Sequence, residues 1–261
     1  MSEYFIEIYG EEIPSRSQIS GEIFLSDFFS EHLAKKKISF KEMHIFSNSK
    51  RIGCSITEIP NISKGETQLV RGPSVGSKEK AVLGFMNSQK IKNRKLLKTK
   101  IVGEKEYFFF EKKVRSINNF NIFRELTVNL LNNFKWKTSM KWSNYSEKWI
   151  RPIKNIVCFF DEKKIDLSFC GIKSSDEVYC NVGYEKNKFK FQNFLNYKKT
   201  LERKFVYIDR KTRIKKIIGQ IQNIEKKNKI KFNMDNDLLI ECANFCENPV
   251  IFESRFDEKF F

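Results

Sequence analysis

Glycine and proline are scarce in these 261 residues, at 11 and 5, and histidine occurs only twice. So few of the residues that punctuate linkers and low-complexity tracts argue for a folded chain. With 40% hydrophobic residues and 26 phenylalanines there is ample apolar surface for one large domain or two ordinary ones. The six cysteines, Cys54, Cys158, Cys170, Cys180, Cys242 and Cys246, include no CxxC pair, and His32 and His44 are too few to complete a zinc site with them. No metal site is expected, and the thiols read as reduced. Cys242 and Cys246, one helical turn apart, read as buried thiols on an apolar stripe. No apolar run approaches the ~20 residues of a membrane span. Met1 to Tyr9 carries two acids, unlike a secretory or transit leader. The expected setting is cytoplasmic, without a membrane.

Acidic residues are also in deficit, 32 against 49 Lys and Arg, for a formal net charge of +17. A balance this basic favours association with a phosphate backbone. The same excess of Lys, Asn, Ile and Phe over Gly and Pro is what an AT-rich genome writes into solvent-facing positions, so charge alone does not identify a partner.

Hydrophobic periodicity gives an α+β fold with a largely antiparallel sheet and two lobes, 1–142 and 143–261. Tyr4 to Tyr9 alternates as a strand, and a helix runs from Ser15 to the basic run Lys35 to Lys37. Met43 to Phe46 and Arg51 to Ile59 read as an antiparallel pair. Lys64 to Ser77, with Gly65, Gly72, Pro73 and Gly76, reads as a loop leading into a helix over Lys78 to Asn87. Tyr107 to Phe110 reads as a hairpin arm and Ile122 to Phe134 as an amphipathic helix. Ile153 to Phe160, Ile165 to Phe169 and Glu177 to Tyr184 read as a strand meander. Helices follow over Gln192 to Glu202, Asp209 to Lys227 and Asp235 to Phe245, with Asp209 an N-cap. Val206 to Ile208 and Pro249 to Phe252 read as short strands.

Catalytic patterns are lacking. Gly72 to Gly76 has neither the spacing nor the Lys-Ser/Thr of a phosphate loop, and no GxGxxG follows a strand. Glu11 and Glu12 are adjacent on extended backbone and so point to opposite faces, which does not suit paired acid-base work. No catalytic residue is assigned. Arg51, Arg71 and Arg151 suit phosphate or carboxylate, or else internal ion pairs. Trp136, Trp142 and Trp149 bracket a basic segment that either stacks RNA bases or staples the lobes together; the packing role is the economical one. Lys211, Arg213, Lys215, Lys216 and Lys226 to Lys231 form a basic tract, either a solvated helix face or a track for an RNA backbone.

The motifs Glu11-Glu12-Ile13-Pro14, Lys50-Arg51-Ile52, Arg71-Gly72-Pro73, Ala81-Val82-Leu83-Gly84-Phe85, Met140-Lys141-Trp142 and Trp149-Ile150-Arg151-Pro152, in that order, resemble the N-terminal region of bacterial glycyl-tRNA synthetase beta subunits. The resemblance runs to Asn248-Pro249-Val250 and Phe256-Asp257-Glu258-Lys259-Phe260. It departs after Gly171-Ile172-Lys173-Ser174, where the family's Thr-Arg-Gly-His-Arg-Phe is not recognisable in Val178 to Tyr184. The family's HD-type and anticodon-binding domains are absent from these residues. The resemblance implies a class II glycine–tRNA ligase in which this chain, itself non-catalytic, supports a separate catalytic alpha subunit in an alpha2beta2 hetero-oligomer. ATP and Mg would be bound through alpha, and tRNA-Gly would be gripped by beta. On that implication Lys50, Arg51, Arg71, Lys141, Trp142 and Arg151 are candidate tRNA-binding residues. Two other classes are expected to be distinguishable: a stand-alone or remnant basic RNA-binding module, and an editing-type hydrolase, which the missing nucleophile-base pair disfavours.

Overall fold

Tyr4, Ile6 and Ile8 alternate with Phe5, Glu7 and Tyr9, so the first strand carries large side chains on both faces, as a strand in the middle of a doubly covered sheet must. The computed structural model describes residues 2–63, 67–113, 117–182, 185–254, 257 and 259. Its elements run β1 (Ser2–Gly10), α1 (Ser15–Lys35), β2 (Glu42–Ser47), β3 (Arg51–Ile59), β4 (Ile62–Ser63), β5 (Thr67–Ser74), α2 (Glu79–Ser88), β6 (Leu97–Val102), β7 (Lys105–Lys113), β8 (Ile117–Asn118) and α3 (Asn119–Asn132). Then come β9 (Ile153–Phe160), β10 (Lys163–Lys164), β11 (Ser168–Phe169), β12 (Ile172–Ser175), β13 (Glu177–Val182), β14 (Glu185–Lys190), α4 (Phe194–Arg203), α5 (Arg210–Asn228) and α6 (Asn236–Phe245). The fold is α+β with mainly antiparallel sheets. Two compact units divide the chain, residues 1–61 with 120–261 and residues 62–119, which is a different division from the expected lobes 1–142 and 143–261. The reason is pairing: β9, beyond the expected boundary, lies beside β1 in one sheet.

In the larger unit the sheet order is β11-β12-β9-β1-β3-β2, with β10 on β9. One face, including Tyr4, Ile6, Ile52, Cys54, Ile156 and Cys158, is covered by Leu25, Phe29 and Leu33 of α1 and Phe123, Leu126 and Leu130 of α3. The opposite face, with Phe5, Phe46, Val157 and Phe159, packs on Val178 and Cys180 of β13 and on Tyr197 and Leu201 of α4. Helix α5 packs on α6, and α6 on α1.

The smaller unit is inserted in sequence between β3 and α3. Its entry and exit strands pair, Ile62 with Asn118 and Ser63 with Ile117. Beyond this ribbon lies a three-stranded antiparallel sheet in the order β5-β7-β6. One face packs Phe108, Phe110 and Leu97 against Val82 and Met86 of α2 and Ile91.

Several local expectations need correction. Thr67–Ser74, expected within a loop, is an edge strand, because β7 supplies its backbone partners and the irregularity between Arg71 and Ser74 absorbs Gly72 and Pro73. Lys64, Gly65 and Glu66 lie outside the described residues. The meander is not formed: β12 runs parallel to β9, and β13 pairs with β14 in a separate ribbon. Only Ser168–Phe169 of the expected strand over Ile165 to Phe169 forms with β12, and Gly183 and Tyr184 lie outside the described residues. Residues 206–208 and 249–252 are not strands, since no neighbouring strand pairs with them. The Cys242 side is exposed and Cys246 half-buried, so they do not share a buried stripe. Much of the final Phe256–Phe260 motif also lies outside the described residues.

Candidate functional site

The six sequence motifs resolve into two clusters, one in each unit. Four meet at the end of β1. The Gly10 N–H donates to the Lys50 carbonyl at 2.9 Å, the Ile13 N–H to the Ser49 carbonyl at 2.6 Å, and the Glu11 N–H to the Pro152 carbonyl at 3.0 Å. Met140 and Trp149 exchange both backbone hydrogen bonds, at 2.8 and 3.1 Å, which ties the Met140-Lys141-Trp142 motif to Trp149-Ile150-Arg151-Pro152. Gly10 is required for this closure: a Cβ there would sit 2.6 Å from the Pro152 carbonyl oxygen. In the smaller unit Gly72 faces the Phe85 ring, which a Cβ would meet at 2.7 Å, so the Arg71-Gly72-Pro73 and Ala81–Phe85 motifs are also packing partners.

Arg51 is wholly buried. Its Nη1 donates to Glu7 Oε2 at 2.8 Å, its Nε donates to Glu247 Oε1 at 3.0 Å, and its guanidinium carbon lies 4.9 Å from the Tyr9 ring centre. The Tyr197 hydroxyl donates to Glu7 Oε2 at 2.5 Å, and Asn48 Nδ2 donates to Glu247 Oε1 at 3.0 Å. Burial pushes the Glu7 carboxyl up against the opposing pull of Arg51 and Tyr197. Burial works against the Arg51 charge, but Glu247 and Glu7 outweigh it and hold the guanidinium above its ordinary value. Arg51 is an internal clasp between β1, β3 and the segment after α6, and it is not available to an external ligand. Glu247 and Tyr197 belong to no motif singled out in the sequence; a buried Arg on a central strand is the one signal that demanded such partners.

The other candidates lie apart from Arg51. Lys50 is half-buried and contributes its backbone to the closure at β1. Lys141 is exposed and lines a shallow hollow with Lys148, Glu147 and Phe169. Trp142 packs against the main core, as do Trp136 and Trp149, which meet edge to face at 5.2 Å. Arg151 is exposed, with Nη1 donating to the Ile150 carbonyl at 2.9 Å. In the tract on α5, Arg213 is buried and not solvated: it donates to the carbonyls of Ala243, Tyr207, Ile208 and Ser47 at 2.6 to 3.0 Å. With no acid paired to it, burial draws its ordinary value down to about 10. His44 bonds Asp209 at 2.8 Å, and Lys198 pairs with the other carboxylate oxygen, so Asp209 marks the start of α5 without capping it by its side chain.

The excess of positive charge is densest in the smaller unit. Residues 62–119 carry fourteen Lys and Arg against five Asp and Glu, which is +9 of the chain's +17 in 58 of its 261 residues. Arg71 belongs to this unit and is exposed. Its guanidinium carbon lies 3.6 Å from the Tyr107 ring centre, and it forms no ion pair among the described residues. A cation over a ring keeps its charge available to an anion, as a cation against a carboxylate does not.

Comparison with known proteins agrees with these motifs. A family model described as glycyl-tRNA synthetase beta subunit matches residues 4–261. Similar curated proteins include the glycine–tRNA ligase beta subunits of Rickettsia canadensis (strain McKiel), Rickettsia akari (strain Hartford) and Rickettsia bellii (strain OSU 85-389). Each is 28% identical over 260 residues, an alignment covering 100% of this chain and 39% of the relative.

Proposed function

Because the chain belongs to the glycyl-tRNA synthetase beta subunit family, we propose that it works as the N-terminal part of the beta subunit of a glycine–tRNA ligase. In this reading a separate alpha subunit carries the class II active site, binds ATP and Mg, and activates glycine, while this chain holds tRNA-Gly and supports assembly in the cytoplasm. The family match over residues 4–261 carries the reading. The chain spans about two fifths of the length of the curated relatives it matches, at 39%. Among the described residues no helix is long and apolar enough to cross a membrane.

A non-catalytic role is supported by how the interior ionisable groups are used. Glu7, Arg51, Tyr197 and Glu247 bond one another under burial, and Arg213 bonds backbone carbonyls, so neither set presents a reactive atom to a substrate. Contact with tRNA is supported by the charge of residues 62–119, since counterion release from a phosphate backbone rewards a dense excess of Lys and Arg.

The test is binding of the purified chain to tRNA-Gly and to an unrelated tRNA across a salt series, with and without the alpha subunit, alongside ATP-dependent glycylation. Preference for tRNA-Gly, or glycylation that requires both chains, supports the reading. Equal, steeply salt-dependent binding to both tRNAs with no effect of alpha would leave the stand-alone RNA-binding module in its place.

A further inference from the structure

We propose that the face of the β5–β7–β6 sheet opposite α2 binds unpaired RNA nucleotides, with Tyr107 and Arg71 as a stacking platform and Lys100 and Lys105 as phosphate contacts. The proposal rests on the reading that this chain handles tRNA, and it adds which surface does so and which form of RNA it takes.

The two faces of this sheet are distinguished by register. Phe108 and Phe110 of β7 point towards α2, together with Leu97 of β6 and Gly72 of β5. Alternation therefore puts Lys105, Tyr107, Phe109 and Glu111 of β7 on the other face. Across the ladder Lys98 stands opposite Phe109 and Lys100 opposite Tyr107 on β6, while Arg71 stands opposite Phe109 on β5. Among the described residues this face thus carries four cations, the half-buried Tyr107 ring and a single acid, with Phe109 buried between them. Lys98 is held by Glu111 at 2.6 Å, whereas Arg71, Lys100 and Lys105 have no ion-pair partner among the described residues. All four cations are exposed.

The irregularity in β5 aims the platform. Arg71 is registered with Phe109, but the next registered pair is Ser74 with Tyr107, so two residues of β5 are taken up between them. The Arg71 side chain leans diagonally along the strand and brings its guanidinium carbon to 3.6 Å from the Tyr107 ring centre. A guanidinium stacked on a ring offers a planar, charged surface on which a base can lie while the fork reaches an adjacent phosphate. Such layering needs a base out of its helix, because bases paired in an A-form duplex present only edges and backbone. Lys100, opposite Tyr107 on β6, and Lys105, two residues along β7, then follow the sugar-phosphate chain, which makes the expected ligand a short unpaired stretch and not a duplex.

The full chain and its variants are titrated against a fluorescent single-stranded RNA 12-mer of mixed sequence, the same strand annealed to its complement, and tRNA-Gly, at several salt concentrations. The single strand is expected to bind more tightly than the duplex. Tyr107→Ala and Arg71→Ala are each expected to weaken single-strand binding by about tenfold, the range of one lost stacking contact, while Tyr107→Phe retains it. Lys100→Ala and Lys105→Ala are expected to lower the log–log salt slope by about 0.7 each. Lys80→Ala, on the helix that covers the opposite face, serves as the charge-matched control and leaves the single-strand preference in place. Thermal melts of each variant establish that the fold is kept; should Tyr107→Ala melt early, Lys100→Glu, an exposed change, carries the same comparison. Equal binding of strand and duplex, or single-strand binding indifferent to Tyr107, Arg71 and Lys100, overturns the proposal even if tRNA-Gly is bound. Stacking-dependent binding of the 12-mer without any preference for tRNA-Gly supports this surface and counts against the ligase reading alone.

Discussion

The Arg51 guanidinium and the Glu7 carboxylate lie 2.8 Å apart, and neither side chain is exposed to solvent. A buried pair of this kind contributes little over a well-packed apolar replacement, but removal of one partner strands the other charge. Arg51→Met leaves both Glu7 and Glu247 without their cation, and we expect it to destabilise the chain by about 3–5 kcal/mol. Glu7→Gln keeps an acceptor for the Tyr197 hydroxyl and is expected to cost less. Urea unfolding midpoints read both, and a midpoint for Arg51→Met matching the native chain would show that the network contributes nothing to stability.

Arg213 tests a different use of charge. Its four carbonyl partners need a planar fork, and a lysine reaches them with a single ammonium. Arg213→Lys is therefore expected to lower stability by at least about 2 kcal/mol, within the range for lost charge-assisted bonds to buried acceptors. Retention of native stability in that variant would place the effect in charge and not in geometry.

Asp209 sets a pH dependence. Burial raises its carboxyl, but hydrogen bonds and charge from His44 and Lys198 outweigh that and hold it at about 2, below its ordinary 3.8. A group depressed in the folded state stabilises the fold above its unfolded value and loses that contribution as pH falls through its folded value. The stability difference between the native chain and Asp209→Asn is thus expected to begin falling below about pH 5 and to be largely lost by about pH 2. Denaturant midpoints of both proteins across pH 6 to pH 2 measure it; a difference that persists unchanged to pH 2 contradicts the pairing.

Gly10 is predicted to resist substitution. A Cβ would come 2.6 Å from the Pro152 carbonyl oxygen and 3.3 Å from the Ile153 Cα, both backbone atoms that cannot rotate aside. Gly10→Ala is expected to cost about 1–3 kcal/mol, the usual range for forced overpacking, seen as a lowered melting temperature. An unchanged melt would mean that the junction of β1 with Pro152 is loose.

Elements with strong local periodicity were legible. Helix α1, strands β1 and β3, and the helices α4 to α6 follow from apolar spacing that neighbours reinforce. Ile62–Asn118 pairing was not legible, because two short strands far apart in sequence carry no local mark of each other, and with it went the division into units. The edge strand over Thr67–Ser74 was hidden for the same reason: Gly72 and Pro73 signal a turn locally, and only the β7 ladder makes them a bulge.

For the candidate residues, the sequence determined which ones matter together, since the order of six short motifs pointed to the family that the match over residues 4–261 supports. It also determined that the chain is basic, with more than half of the excess between residues 62 and 119. Tertiary structure decided what each arginine does. Arg51 and Arg213 are spent inside on Glu7, Glu247 and backbone carbonyls, while Arg71 is set outside on Tyr107 with its charge unpaired. A sequence fixes the guanidinium, but whether that charge is neutralised depends on partners brought from as far as 196 positions away, as Glu247 is to Arg51. Long-range pairing of that kind is settled by strand register and helix packing, and it leaves no local trace in the chain.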